Sequence, residues 1–374
     1  MKRLLGITLA LSLVSLLPAA EPPKGEASEY VSMFNGKDLS GWENVNCAPG
    51  TFFVKDGEII TTGKPTGYLR TAKQYENFVL EMDWMHVNKK EVGNSGLFVW
   101  GDPLPAIGTG YTRGIEVQVL VNLNVKDTYT SHGDLFSIWG AKCKPDRPHP
   151  KGWERCLPSE ERCKGGGEWN HYKVTGNNGV LKLEVNGKEV SGVTECNPRK
   201  GYLALESEGA ECHFKNIKIR ELPSTNPKPT ECAALDKGHK SLFDGLTFNG
   251  WTVDKDTWKA NDGVLRATAD SKLTTAEKYA FYELQFDFKL PKDVKGIDLL
   301  VGGEKITLGG KAGTWQRGTV SVDPGMKRIS ATVAGTETAK VVEVPAISTA
   351  PIEFTGVAGL ELRSIFLRDL REKK

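Results

Sequence analysis

The sequence has almost no excess of either charge. It carries 49 Lys and Arg against 47 Asp and Glu, which leaves a formal net charge of +2 over 374 residues. A strong non-specific hold on nucleic acid or on an anionic membrane needs a basic excess, so the composition excludes both. Gly and Pro, at 41 and 19 residues, stay below the share typical of disordered low-complexity chains. The length predicts a globular protein of about two domains.

Several familiar motifs are also absent. The chain has no Cys-x-x-Cys, no Gly-x-Ser-x-Gly and no His-Glu-x-x-His, which disfavours zinc ribbons, serine-hydrolase elbows and zincin proteases. Residues 108–114 are rich in Gly but lack the spacing of a dinucleotide-binding loop. After the N-terminal segment no apolar run is long enough for a transmembrane helix. These absences leave no certain cofactor.

The N-terminal segment has the three parts of a secretory signal. Residues 1–3 are basic, residues 4–17 are uncharged and largely apolar, and small residues precede Glu21. We expect residues 1–20 to be a cleaved signal peptide. No Cys lies near the cleavage point, so a lipid anchor has no attachment site there. The predicted location is therefore periplasmic or secreted.

Export would place the seven cysteines in an oxidising compartment, where pairing is the default. Cys156 and Cys163 bracket one short loop, and we expect them to pair. We also expect a Cys196–Cys212 disulfide, because these residues flank neighbouring strand-like segments. The odd count leaves at least one thiol unpaired.

One pattern occurs twice. Residues 34–42 (FNGKDLSGW) recur as residues 243–251 (FDGLTFNGW), and a later alternating run at 78–84 recurs at 282–288. Such a long period indicates two homologous domains rather than a solenoid. We expect them at residues 31–222 and 237–374, joined by a Pro-containing linker of residues 223–236.

Within each copy, period-2 runs alternate with Gly, Asn and Asp turns, and almost nothing shows a helical stripe. Antiparallel two-sheet sandwiches are the natural packing for this pattern. The predicted fold class is therefore all-β, with two tandem sandwiches, the second smaller and degenerate.

The first copy is the longer one. From Asp83 to Trp169 is 86 positions, whereas the matched Asp287 and Trp315 are 28 apart, so the first copy holds about 58 extra residues. Within that segment residues 115–121 alternate, which places Glu116 and Gln118 on one sheet face. We expect the second copy to lack this strand. Residues 31–222 should then act alone, with residues 237–374 structural or ligand-orienting.

Five motifs together resemble a known family. Residues 34–42, Asn94-Ser95-Gly96, Glu116-Val117-Gln118, residues 167–170 and residues 216–219 are similar in kind and order to the 3-keto-disaccharide hydrolase family. The resemblance implies a concanavalin/laminin-G-like jelly roll that acts on an oligosaccharide or oxidised glycoside. Residues 131–141 (SHGDLFSIWGA) depart from the family's short Thr-Gly-Ala-Ile-Tyr-like segment. This departure indicates a subgroup and leaves the substrate open.

A ketone at sugar C3 acidifies the C2 hydrogen, so cleavage needs a base near C2, a donor at the enolate oxygen and an acid for the leaving group. Glu116 or His132 is the expected base. The expected substrate-binding residues are Gln118, Arg113, Asn94, Asp134, Trp100, Tyr111 and Glu206. On its own strand Glu116 has no acidic same-face neighbour, so we expect no ordinary retaining-glycosidase pair there.

Three alternatives stay open. The chain could be a carbohydrate-binding protein without catalysis, or an interaction module in which Glu116 is solvated surface. Trp100 and Tyr111 could be core residues. A divalent cation is possible if Glu116, His132 and Asp134 converge. We expect no nucleic-acid partner and no membrane span.

Overall fold

A computed structural model describes residues 28–122, 133–254, 256–335 and 340–371. The fold is all-β, as predicted, and its strands form four antiparallel sheets that build two sandwiches in tandem. One 3₁₀ turn, Pro229–Glu231, lies between them. Among the described residues, no helix has the length and apolar character needed to cross a membrane.

The strands of the N-terminal sandwich are β1 (Val31–Ser32), β2 (Trp42–Val45), β3 (Phe52–Lys55), β4 (Glu58–Thr61), β5 (Gly67–Thr71), β6 (Phe78–His86), β7 (Gly93–Gly101), β8 (Gly114–Val121), β9 (Leu135–Ile138), β10 (Lys142–Pro145), β11 (Arg155–Cys156), β12 (Asn170–Asn177), β13 (Val180–Val185), β14 (Lys188–Asn197), β15 (Tyr202–Ser207) and β16 (Cys212–Glu221). Sheet A has the order β10-β14-β13-β12-β6-β16-β4-β3, with β1 beside β16. Sheet B has the order β11-β9-β8-β7-β15-β5-β2.

The strands of the C-terminal sandwich are β17 (Lys240–Ser241), β18 (Trp251–Val253), β19 (Trp258–Asn261), β20 (Val264–Ala267), β21 (Ser271–Thr275), β22 (Tyr282–Lys289), β23 (Gly296–Val301), β24 (Glu304–Gly309), β25 (Trp315–Asp323), β26 (Arg328–Val333), β27 (Lys340–Glu343), β28 (Glu353–Gly356) and β29 (Glu361–Asp369). Sheet C has the order β19-β20-β29-β22-β25-β26-β27, with β17 beside β29. Sheet D has the order β18-β21-β28-β23-β24.

Alternation along the strands separates core from outer face. In β8 the residues Ile115, Val117, Val119 and Val121 enter the core between sheets A and B. Glu116 and Gln118 therefore lie on the outer face of sheet B, because successive side chains point to opposite faces. This is the orientation that the sequence pattern predicts.

The two copies of the sequence repeat make equivalent hydrogen bonds. The Trp42 indole donates to the Met33 carbonyl at 2.8 Å, and the Trp251 indole donates to the Leu242 carbonyl at 2.6 Å. Sheet D also reproduces the central order of sheet B, with β24 in the place of β8. The expectation that the second copy lacks this strand is therefore wrong. In the described residues it lacks counterparts of β9, β10 and β11.

The two sandwiches contact each other across the outer face of sheet B. Phe366 of β29 joins a small buried cluster with Val45, Tyr68, Phe98 and Ala204 of the N-terminal sandwich. Apolar burial of this kind favours a fixed arrangement of the two units.

The C-terminal sandwich also holds residues 102–113, which we call the site loop. Arg317 donates to the Pro105 carbonyl at 2.8 Å, and Arg363 donates to the Gly108 carbonyl at 3.1 Å. In return, the Gly108 amide donates to Asp287 at 2.9 Å. These contacts argue against residues 31–222 acting alone.

All seven cysteines are free thiols. Cys196 lies on β14 and Cys212 on β16, and three strands of sheet A separate them. At about 4.8 Å per strand this is roughly 19 Å, beyond the reach of a disulfide, so that predicted pairing is wrong. The Cys156–Cys163 disulfide is not formed either, and the Cys163 sulfur lies 3.8 Å from the Tyr172 hydroxyl.

Candidate functional site

Three neighbouring strands of sheet B bring the predicted site together. β7 lies between β8 and β15, and Gly96 on β7 pairs with Gln118 on one side. On the other side Leu97 pairs with Leu205, which places Glu206 beside Gly96. Glycine lacks a side chain, so the outer face leaves space above Gly96 between Glu116 and Glu206.

The two carboxyl groups occupy this opening. A Cβ atom added at Gly96 would lie 2.9 Å from Glu206 Oε2 and 3.0 Å from Glu116 Oε1. The two oxygens are thus at most about 6 Å apart, close enough to act on one substrate. Glu116 has no acidic same-face neighbour on its own strand, as expected, and the second carboxyl group comes from another strand.

A third carboxyl group, that of Glu208, completes what we call the carboxyl cluster: Glu116, Glu206 and Glu208. The Tyr111 hydroxyl donates to Glu208 Oε1 at 2.6 Å, and the Asn94 amide donates to Glu208 Oε2. Glu208 follows Glu206 by two positions, so the alternation of the strand directs both side chains to the same face. Sheet pairing makes both part of the site.

The cluster is buried and rich in negative charge. Glu116 is 7% exposed and Glu206 is 1% exposed. Burial, together with the charge of Glu208 and despite the opposing effect of Arg155, raises the pKa of Glu116 to about 8. Burial and the charge of Glu116 raise the pKa of Glu206 well above its usual range, and burial also raises that of Glu208. Near neutral pH the cluster therefore retains protons that ordinary carboxyl groups release.

Hydrogen-bond donors lie beside the carboxyl groups. The Gln118 amide donates to Asn94 Oδ1 at 2.7 Å, while Arg155 donates to Gln118 Oε1 at 3.1 Å. Arg155 also pairs with Asp134 at 2.5 Å, and its guanidinium lies 4.0 Å from the centre of the Phe136 ring. Asn94, Gln118 and Asp134 thus belong to one hydrogen-bonded group through Arg155, whose charge also acts on Glu116. Arg155 was missed because no local motif marks it.

Other predicted residues lie elsewhere. Arg113 makes a two-pronged ion pair with Asp102, at 2.8 and 3.0 Å, and lines a cleft between the sandwiches. Trp100 is 0% exposed in the core, with its indole donating to the Glu76 carbonyl at 2.8 Å. It cannot stack on a ligand, and the prediction for Trp100 is wrong. His132 lies outside the described residues.

The described residues contain no group of three or more His, Cys, Asp or Glu side chains arranged to hold a metal ion. The Glu116 and Glu206 carboxyl groups both lie against Gly96, while the Tyr111 hydroxyl and the Asn94 amide hold Glu208. Protonation limits the negative charge of such a cluster.

The tandem sandwiches and the buried carboxyl cluster define a carbohydrate-hydrolase-like β protein. The chain belongs to the family described as the 3-keto-alpha-glucoside-1,2-lyase-like domain, whose model matches residues 29–220 and 238–302, more than half of the chain. The second matched segment falls within the C-terminal sandwich.

Individual relatives are distant. A curated 3-keto-disaccharide hydrolase from Bacteroides thetaiotaomicron is 21% identical over 245 residues, covering 53% of this chain and 80% of the relative. A solved structure of a proposed glycosyl hydrolase from Parabacteroides distasonis is 24% identical, with a TM-score of 0.39, over 52% of this chain and 94% of its own. The carbohydrate-binding module CBM66 from Bacillus subtilis is 13% identical, with a TM-score of 0.31, over 50% of this chain and 99% of its own.

Proposed function

We propose that this protein is an enzyme that cleaves the glycosidic bond of 3-keto-glycosides. The observation that carries the proposal is the meeting of Glu116 and Glu206 over Gly96, with raised pKa values. Family membership and the name of the Bacteroides relative support the substrate class. Buried carboxyl groups with shifted pKa values mark candidate acid–base sites.

The proposed reaction begins at sugar C2. The Glu116 carboxylate takes the C2 proton, and the electron pair of the broken C–H bond forms an enolate with the C3 carbonyl. The Arg155 guanidinium, with five N–H donors, is the candidate donor to the enolate oxygen, and Gln118 positions it by accepting one of its hydrogen bonds. Collapse of the enolate forms the C1=C2 bond and breaks C1–O, and protonated Glu206 gives its proton to the leaving oxygen. Addition of water across C1=C2 then completes a net hydrolysis.

A second candidate reaction is ordinary retaining hydrolysis. The meeting of two carboxyl groups at Gly96 supports it, because one carboxylate could attack C1 while the other protonates the leaving oxygen. This reaction needs no ketone at C3. The two candidates therefore differ in substrate and in the fate of the C2 hydrogen.

Turnover in D₂O separates the two reactions. We expect the full chain to cleave a 3-keto-disaccharide but not its unoxidised parent, and to leave deuterium at C2 of the product, measured by mass spectrometry and NMR. Cleavage of the unoxidised sugar without deuterium at C2 would instead establish hydrolysis at C1, and a first-formed product that keeps the anomeric configuration would identify it as retaining. Binding without any product would contradict both and support a carbohydrate-binding protein.

We further propose that the chain is exported after removal of residues 1–20, which lie outside the described residues. The basic start and apolar run support this proposal. Intact-mass measurement of the exported protein should give an N-terminus near Glu21. An uncleaved N-terminus would contradict it. The linker of residues 223–236 likewise stays a proposed domain boundary, to be checked by limited proteolysis.

A further inference from the structure

Trp139 has an unusual backbone for its residue type. Residues 138–141 form the tight turn between β9 and β10, closed by a hydrogen bond from the Ala141 amide to the Ile138 carbonyl at 3.2 Å. Trp139 has a φ of 50° and Gly140 a φ of 95°. A tight turn with two successive positive φ angles strongly prefers Asn-Gly at these positions, and tryptophan there is disfavoured. Nothing in the turn itself requires a large aromatic side chain.

The strained turn leaves one face of the Trp139 indole exposed to solvent. Trp139 is 52% exposed, and one face of its indole stacks on Tyr111, with ring centres 6.2 Å apart and planes 11° from parallel. Tyr111 is the residue that donates to Glu208 of the carboxyl cluster. Strained residues kept at a surface are candidates for a binding role. A single ring thus separates the exposed indole from the proposed site.

Trp139 lines a cleft of about 530 Å³ between the two sandwiches. The site loop, including Arg113, forms one wall of the cleft. The interdomain residue Leu235 and the C-terminal residues Gln285 and Arg317 contribute the other wall. The cleft is lined by both apolar and hydrogen-bonding side chains. The cleft therefore combines an aromatic platform with polar groups that a ligand rich in hydroxyl groups can satisfy.

We propose that this cleft binds a sugar ring of an oligosaccharide, stacked on the free face of Trp139. The C–H bonds on one face of a pyranose are weakly positive, and they meet the negative face of an aromatic ring favourably. Hydroxyl groups at the ring edge then reach the polar walls. The proposal rests on the proposed function only for the class of ligand. Trp139 lies within residues 131–141, the segment in which this chain departs from the family pattern, so the subsite would distinguish this subgroup.

The test measures binding in full-length protein carrying Glu116→Gln, so that sugars are not consumed. Calorimetric titration uses maltose, cellobiose and trehalose in their plain and 3-keto forms. Adding Trp139→Ala should weaken the tightest of these complexes about tenfold. Trp153 provides a matched control, because it is also exposed, at 43%, and stacks on His149 instead. Trp153→Ala should leave the affinity unchanged within about twofold.

A second variant separates binding from folding. Trp139→Asn restores the preferred turn sequence, so its urea midpoint should exceed that of Trp139→Ala while sugar binding stays weak. Equal affinities for Trp139→Ala and Trp153→Ala, or no binding of any of these sugars, would overturn the proposal. If wild-type protein cleaves no sugar while Trp139-dependent binding persists, the proposed function fails and the cleft proposal stands.

Discussion

The two sandwiches carry different side chains at equivalent positions of two equivalent sheets, B and D. Strand pairing makes β24, β23 and β28 of sheet D equivalent to β8, β7 and β15 of sheet B. At these positions the C-terminal sandwich has Lys305 for Glu116, Thr307 for Gln118, Asp298 for Gly96 and Thr355 for Glu206.

The C-terminal set is balanced in charge. Lys305 pairs with Asp298 at 2.7 Å, and the Thr307 hydroxyl donates to Asp298 at 2.5 Å. Burial alone would raise the pKa of Asp298, but these hydrogen bonds lower it overall. The sheet therefore needs no buried carboxyl cluster for its stability. The N-terminal sandwich keeps an arrangement that costs stability, which is expected of a functional site.

The largest effect should come from Glu116→Gln. The variant keeps the shape of the side chain but removes its basicity, so cleavage of a 3-keto-disaccharide should fall by about 10²–10⁴-fold. The measurement is initial rate by product chromatography, with the melting curve as a check of folding. Lys305→Gln at the equivalent position is the control and should leave the rate unchanged. If Glu116→Gln keeps more than about a tenth of the activity, Glu116 is not the base, and His132 is the next candidate.

Gly96→Ala should have the next largest effect. Its Cβ would lie within 3.0 Å of both carboxyl oxygens, so one side chain must move. A displacement of about 1 Å can cost about 10²-fold in rate, and we expect a loss of that order, measured as kcat/KM. Asp298→Ala is the matched variant in sheet D and should not change kcat/KM. Wild-type activity in Gly96→Ala would show that the opening between the carboxyl groups has no role.

The pH profile provides a third comparison. Because the base must be ionised, kcat/KM should rise about tenfold per pH unit and level off near the Glu116 pKa of about 8. A retaining enzyme that uses Glu116 as its acid would instead lose activity as pH rises through this value.

The free energy of unfolding should fall over the pH range in which kcat/KM rises. The folded pKa of Glu116 is raised from 4.5 to about 8, so the folded state keeps a proton that the unfolded chain has lost. The stabilising contribution is complete below about pH 4.5 and is lost as pH rises towards 8. Urea midpoints should therefore fall across this window, and Glu116→Gln should flatten the slope. Equal slopes for the two proteins would contradict the raised pKa.

The smallest expected effect concerns the contact between the sandwiches. Arg363→Ala removes the hydrogen bond to the Gly108 carbonyl and loosens the site loop that carries Tyr111. At about 1 kcal/mol for one hydrogen bond, KM should rise about fivefold with little change in kcat. Arg328→Ala, an exposed arginine elsewhere in sheet C, is the control. An unchanged KM would show that the C-terminal sandwich does not support the site.

The sequence predicted what local patterns determine. Alternation in β8 placed Glu116 and Gln118 on one face, and repeated Gly, Asn and Asp turns predicted two β sandwiches. The carboxyl pair was missed because it depends on strand order: Glu206 lies 90 positions after Glu116, and only pairing through β7 brings them together. Arg155 and the contacts to the site loop likewise depend on tertiary packing.

The failed disulfide prediction has the same origin. Cys196 and Cys212 are close in sequence and both lie next to strand ends, yet their strands are not neighbours in sheet A. Trp100 failed for another reason, because a positive φ of 56° on β7 turns an otherwise outward position into the core. The alternation of hydrophobic residues along a sequence reveals neither the order in which strands pair nor a local backbone irregularity.

The contacts made by β29 also determine when activity can arise during synthesis. This strand lies near the centre of sheet C and is the last strand of the C-terminal sandwich, yet its residues Arg363, Ser364 and Phe366 support the site loop and the outer face of sheet B. Domains fold as units while the ribosome works, N-terminal first. The N-terminal sandwich would therefore reach its folded state early, but its site would be complete only after β29 has formed and contacts the site loop. A nascent chain that stops before Glu361 should be folded in its first half and inactive.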